Sequence, residues 1–169
     1  MNCENCGGPM LVDADRGCLV CEYCKSEWIP QADDEGVSVL AEGSLECPLC
    51  KTVLFQASIS RHTFLYCKKC RGMLIAMDEF LAMEEDLRAQ RDAPAQILPP
   101  IDLSEADRII QCPECHHDMD NHRYGGPGGV FIDTCEECGV HWLDRGEMHR
   151  IVVAPDPRPA ILEVYERAG

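Results

Sequence analysis

Six C-x-x-C pairs punctuate the chain, at Cys3/Cys6, Cys21/Cys24, Cys47/Cys50, Cys67/Cys70, Cys112/Cys115 and Cys135/Cys138. They fall in twos: C-x-x-C, fourteen to nineteen residues, then C-x-x-C, three times over. Zinc takes four soft ligands at tetrahedral corners, and two such turns joined by a hairpin supply them without a large scaffold. The repeat therefore predicts three zinc ribbons, spanning residues 3–24, 47–70 and 112–138, with one structural Zn²⁺ in each and the twelve paired cysteines as ligands. Iron in a rubredoxin-like site would use the same ligands, but the segments between pairs are short for it. A thioredoxin-like redox pair is a single C-x-x-C opening a helix after a strand, which is unlike six pairs matched in twos.

Between the pairs the sequence alternates around turn formers. Met10-Leu11-Val12 and Cys18-Leu19-Val20 flank Asp13 to Gly17, Val53-Leu54-Phe55 and Phe64-Leu65-Tyr66 flank Ser58 to His62, and Tyr124 to Gly129 precede Val130-Phe131-Ile132. Each copy reads as strand, turn, strand. After Cys70, Phe80, Met83 and Leu87 recur at helical intervals between Asp78 and Arg91, with Asp78 placed near the N-cap. Asp144-Arg145-Gly146-Glu147 has the form of a capping box in front of a short helix reaching about Val153, in which Asp144 would accept from the helix start and Glu147 would reach back.

The fold expected is small, metal-stabilised and mainly β, with short amphipathic helices after ribbons 2 and 3. Its parts are ribbon 1 over residues 1–36, ribbon 2 with its helix over 37–92, a proline-containing linker over 93–108, ribbon 3 with its helix over 109–153, and a tail over 154–169. Ile161, Leu162, Val164 and Tyr165 give that tail a helical face suited to docking on the body or on a partner. None of these modules is long enough to bury a large core alone, so metal is expected to hold them.

Thirteen cysteines are present, and Cys18 is the one outside the pairs. Cys18/Cys21 is as well spaced as Cys21/Cys24, but aligning the repeats sets Cys18 opposite Phe64, the position of a buried strand residue. His62, His116, His117, His122 and His141 lie near the pairs. Four thiolates already close each site, so these histidines are expected at the surface or behind the ligands.

The start of the chain has no basic or apolar run, and no segment is apolar enough to span a bilayer, so a cytoplasmic location without membrane contact is expected. In a reducing compartment paired cysteines read as metal ligands and not as disulfides. The formal charge is −15. Twelve thiolates and three dications take it to about −21, which repels nucleic acid. The best basic cluster, Lys68, Lys69 and Arg71 with nearby Arg61 and His62, sits at one knuckle.

Other features have ordinary readings. The Tyr124–Gly129 stretch lacks the lysine and following helix of a phosphate loop and reads as a flexible hairpin tip. Asp13 and Asp15 could position a metal, as acidic hairpins of some transcript-cleavage ribbons do, yet aspartate is a common turn former. Catalytic zinc needs an open position that four cysteines deny it. No catalytic and no cofactor-binding residue is assigned, and the chain is not expected to be an enzyme.

The run Cys135-Glu136-Glu137-Cys138-Gly139-Val140-His141-Trp142-Leu143-Asp144-Arg145-Gly146-Glu147 resembles the transcription-factor-IIB-type zinc-ribbon family of bacteria. That family reads C-x-x-C-G-G-x-W-L-D-x-G-E, and Val140 departs from its second glycine. Ribbon 2 is a weaker copy, with Leu74 for the tryptophan and Ala76 for the aspartate. The whole arrangement resembles a bacterial group of three-ribbon proteins. The resemblance implies fold and metal; it is nearly silent on function, because ribbons serve unrelated tasks. A noncatalytic module engaging an unidentified protein partner is the leading expectation. A nucleic-acid-binding regulator and a redox- or zinc-responsive chaperone are the alternatives.

Overall fold

A computed structural model describes residues 1–100 and 108–156. The expected tail helix beyond Asp156, and residues 101–107 of the linker, lie outside the described residues.

Ribbon 1 forms its own three-stranded sheet, β1 (Met10–Asp13), β2 (Cys18–Cys21) and β3 (Glu27–Trp28), in that order. The Asp13 carboxylate accepts the backbone N–H of Arg16 at 3.1 Å, so this aspartate is a turn former. Gly17 has φ 62° and comes so close to the backbone of Arg61 that a Cβ would sit 3.0 Å from Arg61 Cα. The hydroxyl of Ser58 donates to the Gly17 carbonyl at 2.8 Å, tying ribbon 1 to the rest of the protein.

Ribbons 2 and 3 share one antiparallel sheet of seven strands. Along the chain these are β4 (Ser38–Glu46), β5 (Val53–Ile59), β6 (His62–Tyr66), β7 (Met73–Ala76), β8 (Asp120–Arg123), β9 (Phe131–Cys135) and β10 (Val140–Leu143). Their order is β4-β5-β6-β7-β10-β9-β8, so the two ribbons join where β7 pairs with β10. Each repeat then ends in a helix, α1 (Met77–Ala89) after β7 and α2 (Glu147–Val153) after β10. Leu74 and Trp142 occupy the same place in their repeats, four residues beyond Cys70 and Cys138, and they pair with each other in the register. An approximate two-fold axis thus passes between them.

Period-2 alternation gives the sheet two apolar faces. One, with Phe64, Tyr66, Met73, Ile75, Ile132 and Leu143, is covered by Phe80 and Met83 of α1 and by Met148 and Ile151 of α2. The other gathers Leu54, Leu74, Val140 and Trp142 against the cysteines of ribbons 2 and 3. Segments that read as modules too small for a core therefore build one together. The carbonyls at the end of α2 are satisfied from the C-terminal end of α1 and the residues just beyond it: Arg88 donates to Ile151 O and Ala154 O, and Arg91 to Val152 O and Ala154 O.

The capping expectations hold only in part. α1 follows β7 with no intervening loop, its N-cap is Ala76 in extended backbone, and Asp78 instead lies inside the first turn, accepting from the Glu79 N–H at 2.9 Å. In front of α2, Glu147 does reach back to the Asp144 N–H at 2.6 Å. The Asp144 carboxylate, however, accepts from Trp142 Nε1 at 3.0 Å and from Arg108 at 2.5 Å, leaving left-handed Gly146, φ 81°, as the N-cap.

The Tyr124–Gly129 loop is also not a loose tip. A Cβ on Gly128, φ 89°, would lie 3.0 Å from Ile151 Cα, the Tyr124 hydroxyl donates to Glu84 of α1, and its ring meets Phe80 edge-on at 5.2 Å.

Candidate metal centres

All six C-x-x-C turns are built alike. In each, the residue after the second cysteine sends its N–H back to the carbonyl of the first: Gly7 to Cys3, Lys25 to Cys21, Lys51 to Cys47, Arg71 to Cys67, His116 to Cys112 and Gly139 to Cys135, at 2.7–3.1 Å. Closing that turn requires left-handed backbone, and φ at the six positions runs from 55° to 75°. Only two of the six are glycine, so four side chains are held where L-residues are disfavoured. The knuckle needs the conformation more than it needs the residue.

Hairpins bring the turns together in pairs. The Sγ atoms of Cys3, Cys6, Cys21 and Cys24 lie within 4.8 Å of one another, as do those of Cys47, Cys50, Cys67 and Cys70, and of Cys112, Cys115, Cys135 and Cys138. Individual separations are 3.4 Å for Cys6–Cys21 and 3.6 Å for Cys3–Cys24, Cys47–Cys70 and Cys115–Cys135. Four sulfurs about 2.3 Å from a tetrahedral zinc stand roughly 3.8 Å apart, so each tetrad is sized for that ion.

The electrostatics also call for a cation. In ribbon 1 the Ser26 hydroxyl, 3.2 Å from Cys3 and 3.0 Å from Cys24, pulls both thiols down, Cys3 to about 6. Cys6, although eased by the Gly8 N–H, is pushed up to about 11 by its sulfur neighbours. In ribbon 2, burial works against ionisation of Cys67, but the N–H groups of Cys70 and Lys69 and the Thr52 hydroxyl bring it down to about 7; burial pushes Cys47 up to about 11 and Cys70 higher still. Ribbon 3 repeats the pattern, Cys135 lowered through the Cys138 N–H against burial, Cys138 raised by burial and its neighbours. Four thiolates cannot crowd together unaided, and a dication compensates them.

The tetrads differ in shelter. Cys47, Cys67, Cys112 and Cys135 are buried with half-exposed partners, and Trp142 and Leu74 lie in the apolar cluster that contains both tetrads. In ribbon 1, Cys6 and Cys24 are exposed. Cys18 belongs to no tetrad; it is 2 % exposed in β2, as the repeat alignment expects.

The histidines divide. His116 supplies a knuckle turn. His117 is exposed and pairs with Glu137 at 2.6 Å, which raises its pKa; these two and Cys115 form a further group of possible ligands, but Cys115 already serves a tetrad. His122 and His141 share the Thr134 hydroxyl at 3.0 and 2.8 Å. His62 corrects the surface expectation: it is buried between Glu79, 2.8 Å, and Asp86, 3.1 Å, and so fastens the ribbon 2 hairpin to α1.

The basic cluster is largely engaged. Lys68 Nζ lies 3.5 Å over the Phe55 ring, Arg71 pairs with Asp34 at 2.8 Å and Glu35 at 3.3 Å, and Arg61 pairs with Asp86 at 2.8 Å. One polar network escaped sequence reasoning. Asp133, with no solvent exposure, accepts from Arg108 at 2.5 Å and from Asn121 at 2.9 Å, while Arg108 also holds Asp144. It locks the end of the linker segment onto ribbon 3, and no spacing rule signals it.

Among known families, residues 111–154 match the transcription factor zinc-finger family, a zinc ribbon of the TFIIB type. The match covers ribbon 3 with α2, the part carrying the tryptophan, the aspartate and the capping glutamate. No curated protein and no solved structure matches the chain. Three tetrads that can each bind zinc, one of them inside a recognised zinc ribbon, make this a zinc-binding protein.

Proposed function

We propose that the chain is a noncatalytic protein-interaction module in which three structural zinc ions fix a rigid platform. One observation carries the reading. The ligands in every tetrad are four cysteines, which leave a tetrahedral ion no open position for substrate or water, while ribbons 2 and 3 merge into one sheet and ribbon 1 carries exposed apolar side chains beside it. Among the described residues, half of the exposed large apolar side chains, Met1, Leu11, Tyr23, Trp28 and Ile29, belong to ribbon 1, where only a three-stranded sheet is available to bury them. Among the described residues no helix is long and apolar enough to cross a membrane, so bilayer insertion of a helix does not account for that surface.

Affinity capture from the native host, using zinc-loaded chain alongside a zinc-stripped control, tests the reading. A protein retained stoichiometrically and only by the zinc-loaded form supports it; retention of nucleic acid alone defeats it. The family match favours a second reading, a transcription-related regulator that contacts nucleic acid. The charge of −15 and the engagement of Lys68, Arg71 and Arg61 speak against it.

A further inference from the structure

On the metal-bearing face of the large sheet lies a groove of about 350 Å³ to which all three ribbons contribute. Val12 and Ala14 of ribbon 1 form one wall, Leu40, Leu65 and Leu74 of ribbon 2 the floor, and Val140 and Glu114 of ribbon 3 the other wall. The floor is apolar because side chains alternate across the strands, and α1 and α2 cover only the opposite face. Ribbon 1 borders it through its hairpin, whose tip is tied to the large sheet where Ser58 binds Gly17. What remains is a channel with an aliphatic floor, exposed Gln56 within it and an exposed carboxylate, Glu114, at its margin.

We infer that this groove is the partner-binding site of the proposed module and that it takes a basic segment of another protein, inserting an aliphatic or aromatic side chain beside a lysine or arginine. The inference rests on the interaction reading above and adds the site and the chemistry of the partner. Two properties of the groove select that occupant. Its volume and mostly apolar lining suit one or two large side chains, at the lower end of pockets that hold small ligands. Its marginal charge is Glu114, and the protein around it carries −15, so a cationic segment is attracted and an acidic one repelled. The site also accounts for three ribbons in one chain: the Glu114 wall lies inside the Cys112–Cys115 knuckle, and the Val12 wall lies between the two knuckles of ribbon 1. Each wall is therefore set by a metal centre, and binding is zinc-dependent through geometry alone.

The test uses the full zinc-loaded chain. A phage-displayed library of random heptapeptides is panned on it, and the enriched peptides are synthesised and measured by fluorescence polarisation. Enriched sequences should pair Lys or Arg with Leu, Ile, Met or Phe. In methyl-labelled wild-type protein they should shift the resonances of Val12, Leu65 and Val140, a readout needing no variant. Glu114→Lys and Gln56→Arg, both at exposed positions, should weaken binding at least about tenfold with zinc content unchanged, whereas Glu85→Lys, the same charge change on the exposed side of α1, should alter it less than about twofold. Failure to enrich any peptide, enrichment without cationic residues, or shifts confined to other surfaces overturns the assignment. If a partner captured from the host is held as tightly by the Gln56→Arg/Glu114→Lys chain as by wild type, the groove is wrong while the interaction role stands; if no host protein is retained by either chain, the role itself falls.

Discussion

The indole of Trp142 lies against Gly72, so close that a Cβ on Gly72 would fall 2.2 Å from Cζ2. The contact belongs to the join between ribbons, since Trp142 is paired with Leu74 across the β7–β10 seam. It also explains why equivalent positions carry different residues: on an approximate two-fold axis only one large ring fits, so one repeat supplies the tryptophan and the other a leucine and a glycine. Gly72→Ala should therefore destabilise the zinc-loaded protein by about 1–3 kcal/mol through overpacking. Gly72→Ala/Trp142→Leu should cost less than the sum of its single changes. Additive costs in thermal unfolding would refute the contact.

The six knuckles make opposite predictions at glycine and non-glycine positions. Gly139 has φ 67°, and a Cβ added there would meet no atom within 4 Å, so Gly139→Ala incurs only backbone strain, on the order of 1 kcal/mol. Lys51, φ 55° and exposed, should respond to Lys51→Gly with a gain of up to about 1 kcal/mol, because relief of strain outweighs the added freedom of the unfolded chain. Denaturant unfolding with zinc held in excess reads both signs. A loss at Lys51→Gly would mean the turn does not impose the strain.

The cysteine tetrads and hairpins were legible in the sequence because a zinc site imposes a rigid spacing, C-x-x-C, and because strand alternation survives between the pairs. The join of ribbons 2 and 3 was not. Its residues, Met73 to Ala76, form an unbroken apolar run that periodicity cannot assign to strand or helix, and their partners lie 68 positions away at the axis. β4 was missed for a related reason: its pairing with β5 has register shifts, so alternation holds only in pieces. The capping reading at Asp144 failed because its carboxylate was committed to Trp142 and Arg108, and the second of these comes from a segment that reads as linker.

Metal analysis of single variants distinguishes the ligands. Cys18→Ser should retain three zinc equivalents, because Cys18 is outside every tetrad and burial keeps its thiol raised and neutral. Cys21→Ser should lose one. Because Cys6 and Cys24 are exposed, whereas ribbons 2 and 3 pack their tetrads around Trp142, a competing chelator should remove the first equivalent from ribbon 1, leaving most β-structure intact until the second and third leave. A loss of zinc in Cys18→Ser, or simultaneous release of all three, would contradict this arrangement.

Two histidines tilt stability with pH in opposite directions. Burial, and secondarily the charge of His122, lowers the pKa of His141, so the unfolded chain takes up a proton that the folded chain resists, and stability falls as pH drops through about 6.5. His117 is raised by Glu137, so its contribution is complete below about 6.5 and is lost as pH climbs through its folded value. The His117 pair is exposed and screened by salt. At about 0.5 M NaCl, His141 should dominate, with a lower Tm at about pH 6 than at about pH 7.5. His141→Gln should flatten that difference while zinc content stays constant. An unchanged slope would exclude His141 as its source.

Nucleic acid is where family likeness and electrostatics diverge. The ribbon at residues 111–154 is of a transcription-factor type, yet the metal-loaded chain carries about −21, and strong binding commonly uses six to ten phosphate contacts. A focused patch could overcome overall repulsion if its cations were free. Here Arg71 is held by Asp34 and Glu35, Arg61 by Asp86, and Lys68 lies over Phe55, so releasing them to phosphate would sacrifice contacts that already exist. Lys69, exposed on the same knuckle, adds a single charge. Binding to duplex DNA or RNA at physiological salt is accordingly expected to be no tighter than about 10⁻⁴ M, the weak end of non-specific association. Fluorescence anisotropy across a salt series measures this directly. A micromolar complex that weakens steeply with salt, and is abolished by Lys68→Glu/Lys69→Glu, would place the regulator reading ahead of the interaction module.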